Sequence, residues 1–158
     1  FFNIYDKESR LIILGDVLYH GPRNDLPLEY NPKEVIKLLN SVKDKILWIR
    51  GNCDSEVDEM VLDFKVYKEA KIRFNDYNIY LTHGHIKNET NMSLKEKDIL
   101  LYGHTHINKL EKINDYIVGN PGSISIPKEN TKNSFMVIED SCITVYSLET
   151  EILHRLEI

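Results

Sequence analysis

Two histidines separated by one residue, in Tyr102-Gly103-His104-Thr105-His106, are the first residues of this sequence that could do chemistry. They follow the apolar run at 99–101, which predicts a buried strand that Gly103 ends. A turn at this spacing can aim both imidazole rings into one cavity, and imidazole is a common ligand of Zn, Mn, Fe, Co and Ni. A His-x-His pair alone is more often a surface or core pair, so a metal site needs support from elsewhere in the chain.

That support comes from three other apolar runs that end in polar residues. Gly15-Asp16 follows residues 11–14, Gly51-Asn52 follows residues 46–49, and His83-Gly84-His85 follows residues 79–82. In open α/β sheets ligands bind beyond the carboxyl ends of the strands, so these side chains are expected at one rim. Carboxylates and imidazoles suit divalent transition metals, and two ions together can hold a phosphate. Taken singly, Asp16 could instead be a cap and Asn52 a turn residue.

The elements that position these residues follow from hydrophobic periodicity. Buried, parallel strands are predicted at 10–14 and 46–49, and Asn31-Pro32 predicts the start of a helix with an apolar stripe. A second, short helix is predicted after Asp54 or Ser55. Short strands are predicted at 64–67, 71–74, 79–82, 99–101, 109–113 and 116–118, and an antiparallel meander at 134–139, 143–147 and 152–157. Residues 1–5 are predicted to end a helix, and residues 86–97 to form a loop that leads into a short helix.

The loop at 17–30 is too long to be a bare connection, which predicts a functional or covering role. His20, Arg23 and Asn24 could contact an anionic substrate there, or could hold the loop together, which is the favoured alternative for His20. An arginine offers a planar fork that matches phosphate oxygens. The structural alternative for Arg23 is an ion pair with a nearby acid such as Asp25 or Glu29.

Composition restricts the class of protein. The 158 residues are 42% hydrophobic and 28% charged, which predicts one globular domain over residues 1–158. The net charge of −5 and the lack of a basic run disfavour nucleic acid as a partner. Cys53 and Cys142 form no CxxC motif, which favours a reducing, cytoplasmic location. No stretch is long and apolar enough to span a membrane, so no membrane partner is predicted, and a homo-oligomer stays open.

The order and extent of these motifs resemble the calcineurin-like metallophosphoesterases, and in longer stretches the YfcE-type branch of bacterial phosphodiesterases. The stretches with this resemblance are Leu14-Gly15-Asp16-Val17-Leu18, His20-Gly21-Pro22-Arg23-Asn24, Arg50-Gly51-Asn52-Cys53-Asp54, Leu81-Thr82-His83-Gly84-His85, Gly103-His104-Thr105-His106 and Asn120-Pro121-Gly122-Ser123-Ile124-Ser125-Ile126-Pro127-Lys128. The resemblance implies an α/β fold, a four-layer α/β/β/α sandwich with two divalent ions at one rim. Manganese is the first expectation, and the ligand types also allow Fe, Zn, Co or Ni.

The resemblance also implies roles for individual residues. Asp16 would bridge both ions, Asn52, His83 and His104 would complete one site and serve in catalysis, and His106 would belong to the other site. Arg23, His20, Cys53 and His85 are the candidate substrate-binding residues. The implied reaction is hydrolysis of a small phosphodiester by a hydroxide held between the ions.

Two departures from the family pattern qualify this expectation. The family opens with Asp-x-His at the end of its first strand, and nothing before Leu11 supplies that motif, so the first strand is expected to be missing from this sequence. Many relatives have a histidine where this chain has Cys53, which favours diesters with good leaving groups, because a thiol with an ordinary pKa of about 8.5 suits that role poorly. The alternative function is a non-catalytic scaffold on the same fold, as in a retromer subunit.

Overall fold

The computed structural model describes residues 1–6 and 8–158. Along this part of the chain the helices and strands follow one another as β1 (Leu11–Ile13), α1 (Pro32–Asn40), a 3-10 helix (Lys43–Lys45), β2 (Ile46–Ile49), α2 (Glu56–Val61), β3 (Val66–Tyr67), β4 (Ala70–Phe74), β5 (Tyr77–Leu81), β6 (Asp98–Leu101), β7 (Asn108–Ile113), β8 (Tyr116–Pro121), β9 (Ser134–Glu139), β10 (Cys142–Ser147) and β11 (Ile152–Glu157). The predicted strands are therefore confirmed, with boundaries that differ by one or a few residues.

The strands form three sheets. β1, β2 and β3 form a parallel sheet in the order β1-β2-β3. A mixed five-stranded sheet has the order β4-β5-β6-β8-β7, and its inner strands β5, β6 and β8 are parallel. The predicted meander is the antiparallel sheet β11-β10-β9.

The main core lies between the sheets. Alternate residues of β2 and β6 point in opposite directions, so Ile49 and Leu101 enter this core with Ile143 of β10. On the other face of the parallel sheet, Trp48 packs with the apolar stripe of α1. The parallel pair β1–β2 therefore packs through this core against the parallel pair β5–β6, and the carboxyl ends of these four strands can meet at one rim.

Local chemistry explains where both helices begin. The side chain of Asn31 accepts a hydrogen bond from the Glu34 N–H at 3.3 Å, and Pro32 follows at the first helical position. Ser55, not Asp54, caps α2, and it forms a reciprocal capping box with Asp58. This capping leaves the Asp54 carboxylate free for other contacts.

The structure describes two further segments for which the sequence predicted helix, and the prediction of a short helix within residues 86–97 is wrong. Residues 1–5 form a single hydrogen-bonded turn, with the Tyr5 N–H donating to the Phe1 carbonyl at 3.1 Å. Residues 86–97 contain turns and no helix, and their Met92 and Leu94 pack on the outer face of the five-stranded sheet. Neither described α-helix contributes to the apolar cluster on that face. Among the described residues, no helix is long and apolar enough to cross a membrane.

Candidate metal centre

The ends of β1, β2, β5 and β6 bring the predicted ligands together. Asp16, Asn52, His83 and His104 each lie two or three residues beyond the end of their strand. The two sheets are joined here because the His83 ring nitrogen Nδ1 lies 2.5 Å from the carbonyl oxygen of Leu14. The expectation that these side chains meet at one rim is confirmed.

Three donor atoms lie close to the Nε2 atom of His83. The Nε2 atom of His83 lies 3.0 Å from Asn52 Oδ1, 3.2 Å from Asp16 Oδ2 and 3.3 Å from His104 Nδ1. Two ligands that each lie about 2.0–2.2 Å from one ion at a right angle are roughly 3 Å apart, so these separations match the edges of a coordination shell. Asp16, His83 and His104 together form a group of atoms close enough to share one ion.

The protonation of His83 fits metal binding. Its Nδ1–H donates to the Leu14 carbonyl, so Nε2 is the nitrogen that faces Asn52 Oδ1 and Asp16 Oδ2. A proton on Nε2 would donate to these oxygens, and a cation at the same place would replace that proton, with Nε2 turning a lone pair toward it. A histidine held through its other nitrogen by a backbone carbonyl is also the usual arrangement for a metal ligand.

The ionisation of these groups follows their environment. Burial raises the pKa of Asp16, but hydrogen bonds from His83 and the Cys53 N–H outweigh it, and the pKa falls below its usual range. Burial lowers the pKa of His83, but the Asp16 carboxylate and the Leu14 carbonyl outweigh it, so this pKa is raised. Burial and the neighbouring histidines lower the pKa of His104, and burial is the main cause of the lowered pKa of His106.

A buried carboxylate organises the rim. Oδ2 of Asp54 accepts hydrogen bonds from the Asp16 N–H at 2.9 Å, the Gly51 N–H at 2.7 Å and the indole N–H of Trp48 at 3.2 Å. Its Oδ1 accepts a bond from the Val17 N–H at 2.8 Å. Asp54 therefore ties the turn that follows β1 to the turn that follows β2, and it fixes the backbone that carries Asp16.

The backbone is strained where it presents the ligands. Asp16, His104 and His106 have φ angles of 57°, 65° and 62°, in the left-handed region that favours glycine. Such conformations persist where the surrounding structure enforces them, and they cluster at functional sites. A Cβ added at Gly15 would lie 2.6 Å from both Gly51 and the His83 ring, so only glycine allows the strand ends to pack this closely.

His106 lies beside this group rather than within it. Its Nδ1 lies 2.8 Å from the Ile126 carbonyl oxygen, which leaves Nε2 for another partner. The described residues place it with Asp16 in one cleft, although it is not among the atoms that could share the ion of His83. This position is compatible with a separate, second ion held between Asp16 and His106.

The walls of the cleft carry further predicted residues. Arg23, Cys53 and Asn24 line it together with Asp16. In the part of the chain that the structure describes, no acidic side chain forms an ion pair with Arg23, so the predicted alternative of pairing with Asp25 or Glu29 is not formed. Burial, followed by the charge of Asp16, raises the pKa of the Cys53 thiol, which opposes a thiolate at neutral pH.

Two predicted substrate-binding histidines lie off the cleft wall. His20 packs edge-on against Tyr19 and Tyr30, and its carbonyl accepts a hydrogen bond from Asn24 Nδ2 at 2.6 Å. These contacts match the alternative in which His20 holds the loop together. The His85 ring is exposed and lies 5.2 Å from the His83 ring and 6.0 Å from the His104 ring, measured between centroids.

Three further residues build this region, although none of them was among the candidate site residues. Asp54 was expected, as the alternative to Ser55, to cap α2. Asn120 is fully buried, and its amide donates to the Gly103 carbonyl at 2.8 Å and to the Thr105 hydroxyl at 3.1 Å, which holds the His-x-His turn. Lys128 lines the cleft. A signal existed for Asn120, since Asn-Pro-Gly directly follows an apolar run.

Comparisons with known proteins agree with this geometry. Residues 2–141 match the family model of the calcineurin-like phosphoesterase superfamily domain. The chain is 41% identical over 143 residues to phosphodiesterase YfcE of Escherichia coli (strain K12), an alignment that covers 89% of this chain and 78% of that protein. A solved structure of YfcE, described as a phosphoesterase from E. coli, superposes with a TM-score of 0.91 at 39% identity and covers 95% of this chain and 84% of that one. Vps29 from Cryptosporidium parvum shares the fold, with a TM-score of 0.57 at 18% identity over 93% of this chain and 95% of that one.

Proposed function

Because the chain belongs to the calcineurin-like phosphoesterase superfamily, we propose that it is a metal-dependent phosphodiesterase that hydrolyses a small phosphodiester. The observation that supports this most is the convergence of donor atoms of Asp16, Asn52 and His104 within 3.0–3.3 Å of His83 Nε2. The similarity to the E. coli phosphodiesterase YfcE supports the choice of a diester.

Two divalent ions would complete the site. Asp16 would contact both ions, Asn52, His83 and His104 would hold one, and His106 would hold the other. When bound, such ions supply the charge that ionises an attacking water and neutralises phosphate oxygens. We propose manganese, because a mixed shell of carboxylate, amide and imidazole suits it, although Fe, Zn, Co or Ni fit the same ligand types.

The protein groups around the ions would bind and orient the substrate. The Arg23 guanidinium lines the cleft without an acidic partner among the described residues, so it is available to donate to phosphate oxygens. The Cys53 N–H donates to Asp16 Oδ1 at 2.8 Å and steadies the bridging carboxylate. Since the Cys53 thiol has a raised pKa, it is a poor proton donor to a leaving group, and diesters with good leaving groups are the proposed substrates.

We further propose that residues 1–158 act as one domain in the cytoplasm. The free thiols of Cys53 and Cys142 are in keeping with a reducing compartment.

The four-layer α/β/β/α sandwich is likewise a proposal. Among the described residues, helix α1 packs on the outer face of the parallel sheet, whereas the non-helical segment 86–97 packs on the outer face of the five-stranded sheet.

The variant Asp16→Ala separates this proposal from a scaffold on the same fold. Loss of the bridging carboxylate is expected to reduce bound metal and to lower kcat/KM for bis(p-nitrophenyl) phosphate by more than about a hundredfold, because even residues that only support metal ligands are worth roughly 10–100-fold. The matched control is Asp63→Ala, which removes an exposed carboxylate far from the cleft. Unchanged metal content and unchanged activity in Asp16→Ala would contradict the proposal and favour the scaffold.

A further inference from the structure

Lys128 brings a second cation into the cleft from a different part of the chain. Arg23 comes from the loop after β1, whereas Lys128 comes from the segment after β8, and both line the cleft with Asp16 and His106. Lys128 is the last residue of the stretch 120–128 that carries the family resemblance, but its residue type alone does not distinguish it from an exposed lysine.

The segment that carries Lys128 is fastened to His106 at two points. The Lys128 N–H donates to the His106 carbonyl at 3.2 Å, and the His106 ring Nδ1 lies 2.8 Å from the Ile126 carbonyl oxygen. The backbone and the ring of His106 are therefore both held by the segment that carries Lys128.

The turn after Lys128 is fixed as well. The Lys128 carbonyl accepts hydrogen bonds from the Thr131 hydroxyl at 2.7 Å and from the Thr131 N–H at 3.0 Å. Glu129 and Asn130 have φ angles of 52° and 61°, which non-glycine residues adopt only where their surroundings enforce it. This turn fixes the backbone of Lys128 at the edge of the cleft, where the residue is exposed.

The charge of Lys128 is left uncompensated. Across residues 1–6 and 8–158, no carboxylate lies within ion-pair distance of its ammonium, while Lys109 is paired with both Glu89 and Glu111. An ammonium without an acidic partner in a phosphate-binding cleft is available for an anion, and lysine acts at such sites as a compact point charge.

We propose that Lys128 is a substrate-binding residue whose ammonium pairs with a phosphoryl oxygen of the bound diester beside His106. This inference rests on the proposed phosphodiesterase function. It assigns to the reaction a second protein cation, held by the same turn that holds a metal ligand.

The test compares Lys128→Met, Lys128→Arg and a control, Lys112→Met, which removes an exposed lysine on β7. Each protein is loaded with metal, and three quantities are measured: bound metal, kcat/KM for bis(p-nitrophenyl) phosphate, and the Ki of inorganic phosphate as a competitive inhibitor. For Lys128→Met we expect kcat/KM to fall roughly tenfold or more and the phosphate Ki to rise, the scale of one lost charge-assisted contact. For Lys128→Arg we expect kcat/KM and the phosphate Ki to stay close to those of the unmodified protein. Bound metal should stay constant in all variants.

The outcomes that overturn the inference are distinct from failure of the proposed function. Kinetics and phosphate Ki in Lys128→Met that match those of Lys112→Met would leave Lys128 a surface lysine. A loss of activity that tracks lost metal, and that added metal restores, would give it only a structural effect on His106. If the unmodified protein hydrolyses no phosphodiester with any divalent metal, the proposed function itself is wrong.

Discussion

Replacement of Asp54 by alanine should destabilise the protein strongly, although Asp54 is not a proposed metal ligand. Its carboxylate accepts four hydrogen bonds, from the backbone of Asp16, Val17 and Gly51 and from the indole of Trp48. A buried donor left without its acceptor costs about 1–3 kcal/mol. The two donors in buried bonds, Gly51 N–H and Trp48 Nε1–H, alone predict a loss of about 2–6 kcal/mol.

Replacement of Asp54 by asparagine should destabilise the protein less than replacement by alanine, because asparagine keeps one acceptor oxygen. Oδ2 of Asp54 receives three of the four bonds, so the carbonyl oxygen of asparagine can take its place. The amide nitrogen of asparagine would then face the Val17 N–H, so that two donors meet and neither is paired there. The expected loss for Asp54→Asn is about 1–3 kcal/mol for each of these unpaired donors, and it should stay below the loss for Asp54→Ala, which leaves four donors unpaired. The control Asp63→Asn removes a surface carboxylate that lies 3.5 Å from Lys43, and it should cost no more than about 1 kcal/mol.

The assay is urea unfolding of the metal-free proteins, because bound metal would add its own stabilisation. Trp48 is the single tryptophan of the chain, is fully buried and is itself bonded to Asp54, so its fluorescence reports the affected region. The predicted order of destabilisation is Asp54→Ala, then Asp54→Asn, then Asp63→Asn. A cost for Asp54→Ala that equals the cost of the Asp63 control would refute the role given to this carboxylate.

Two further predictions concern the cleft wall and the outer face of the five-stranded sheet. Arg23→Ala should lower kcat/KM for a small diester roughly tenfold or more while metal content stays constant, and the exposed control Arg10→Ala should not. A loss of thermal stability with kcat/KM preserved would instead show that Arg23 only stabilises the loop. Burial raises the pKa of Glu89, but hydrogen bonds from the Tyr102 hydroxyl and Lys109 outweigh it and lower the pKa. A carboxyl with a lowered pKa stabilises the fold above its unfolded pKa of about 4.3. The unmodified protein should therefore be more stable than Glu89→Gln by the full amount at pH 7, and this difference should shrink as the pH falls through about 4. Urea unfolding at several pH values measures the difference, and a difference that does not depend on pH would contradict the prediction.

The position of the candidate site was predictable because strand ends carry local signals. A short apolar run followed by glycine and a polar residue marks a strand end, and parallel strands bring such ends to one rim. Asp16, Asn52, His83 and His104 therefore converge as expected, and the strand Ile46–Ile49 has the predicted boundaries.

The role of Asp54 was not predictable from local sequence. Its partners Asp16 and Val17 are 38 and 37 residues away along the chain, so no local pattern relates them to the carboxylate. Only the packing of the two turns reveals that one side chain serves both. The place of Lys128 in the cleft likewise depends on a long-range backbone bond to His106.

The predicted helix near residues 86–97 failed because asparagine side chains compete for the backbone. Asn88 donates to the Gly84 carbonyl and accepts from the Thr90 N–H, each at 3.0 Å, and Asn91 donates to the Ile86 carbonyl at 2.7 Å. Such bonds offer the backbone an alternative to the helical ladder. Packing of Phe1 against Phe135 and Tyr5 stabilises the hydrogen-bonded turn at residues 1–5.

The most direct measurement is hydrolysis of bis(p-nitrophenyl) phosphate by protein stripped with a chelator and then refilled with Mn²⁺, Zn²⁺, Fe²⁺, Co²⁺ or Ni²⁺. Bound metal is measured on the same samples, with Asp16→Ala as the control that lacks the Asp16 carboxylate. Activity should vanish on stripping and return in proportion to the metal bound by the unmodified protein, because Asp16, Asn52, His83 and His104 are the proposed ligands of the ion that the reaction needs. Activity that survives in metal-free protein, or fully metallated protein that cleaves no diester with any of the five ions, would contradict a metal-dependent phosphodiesterase.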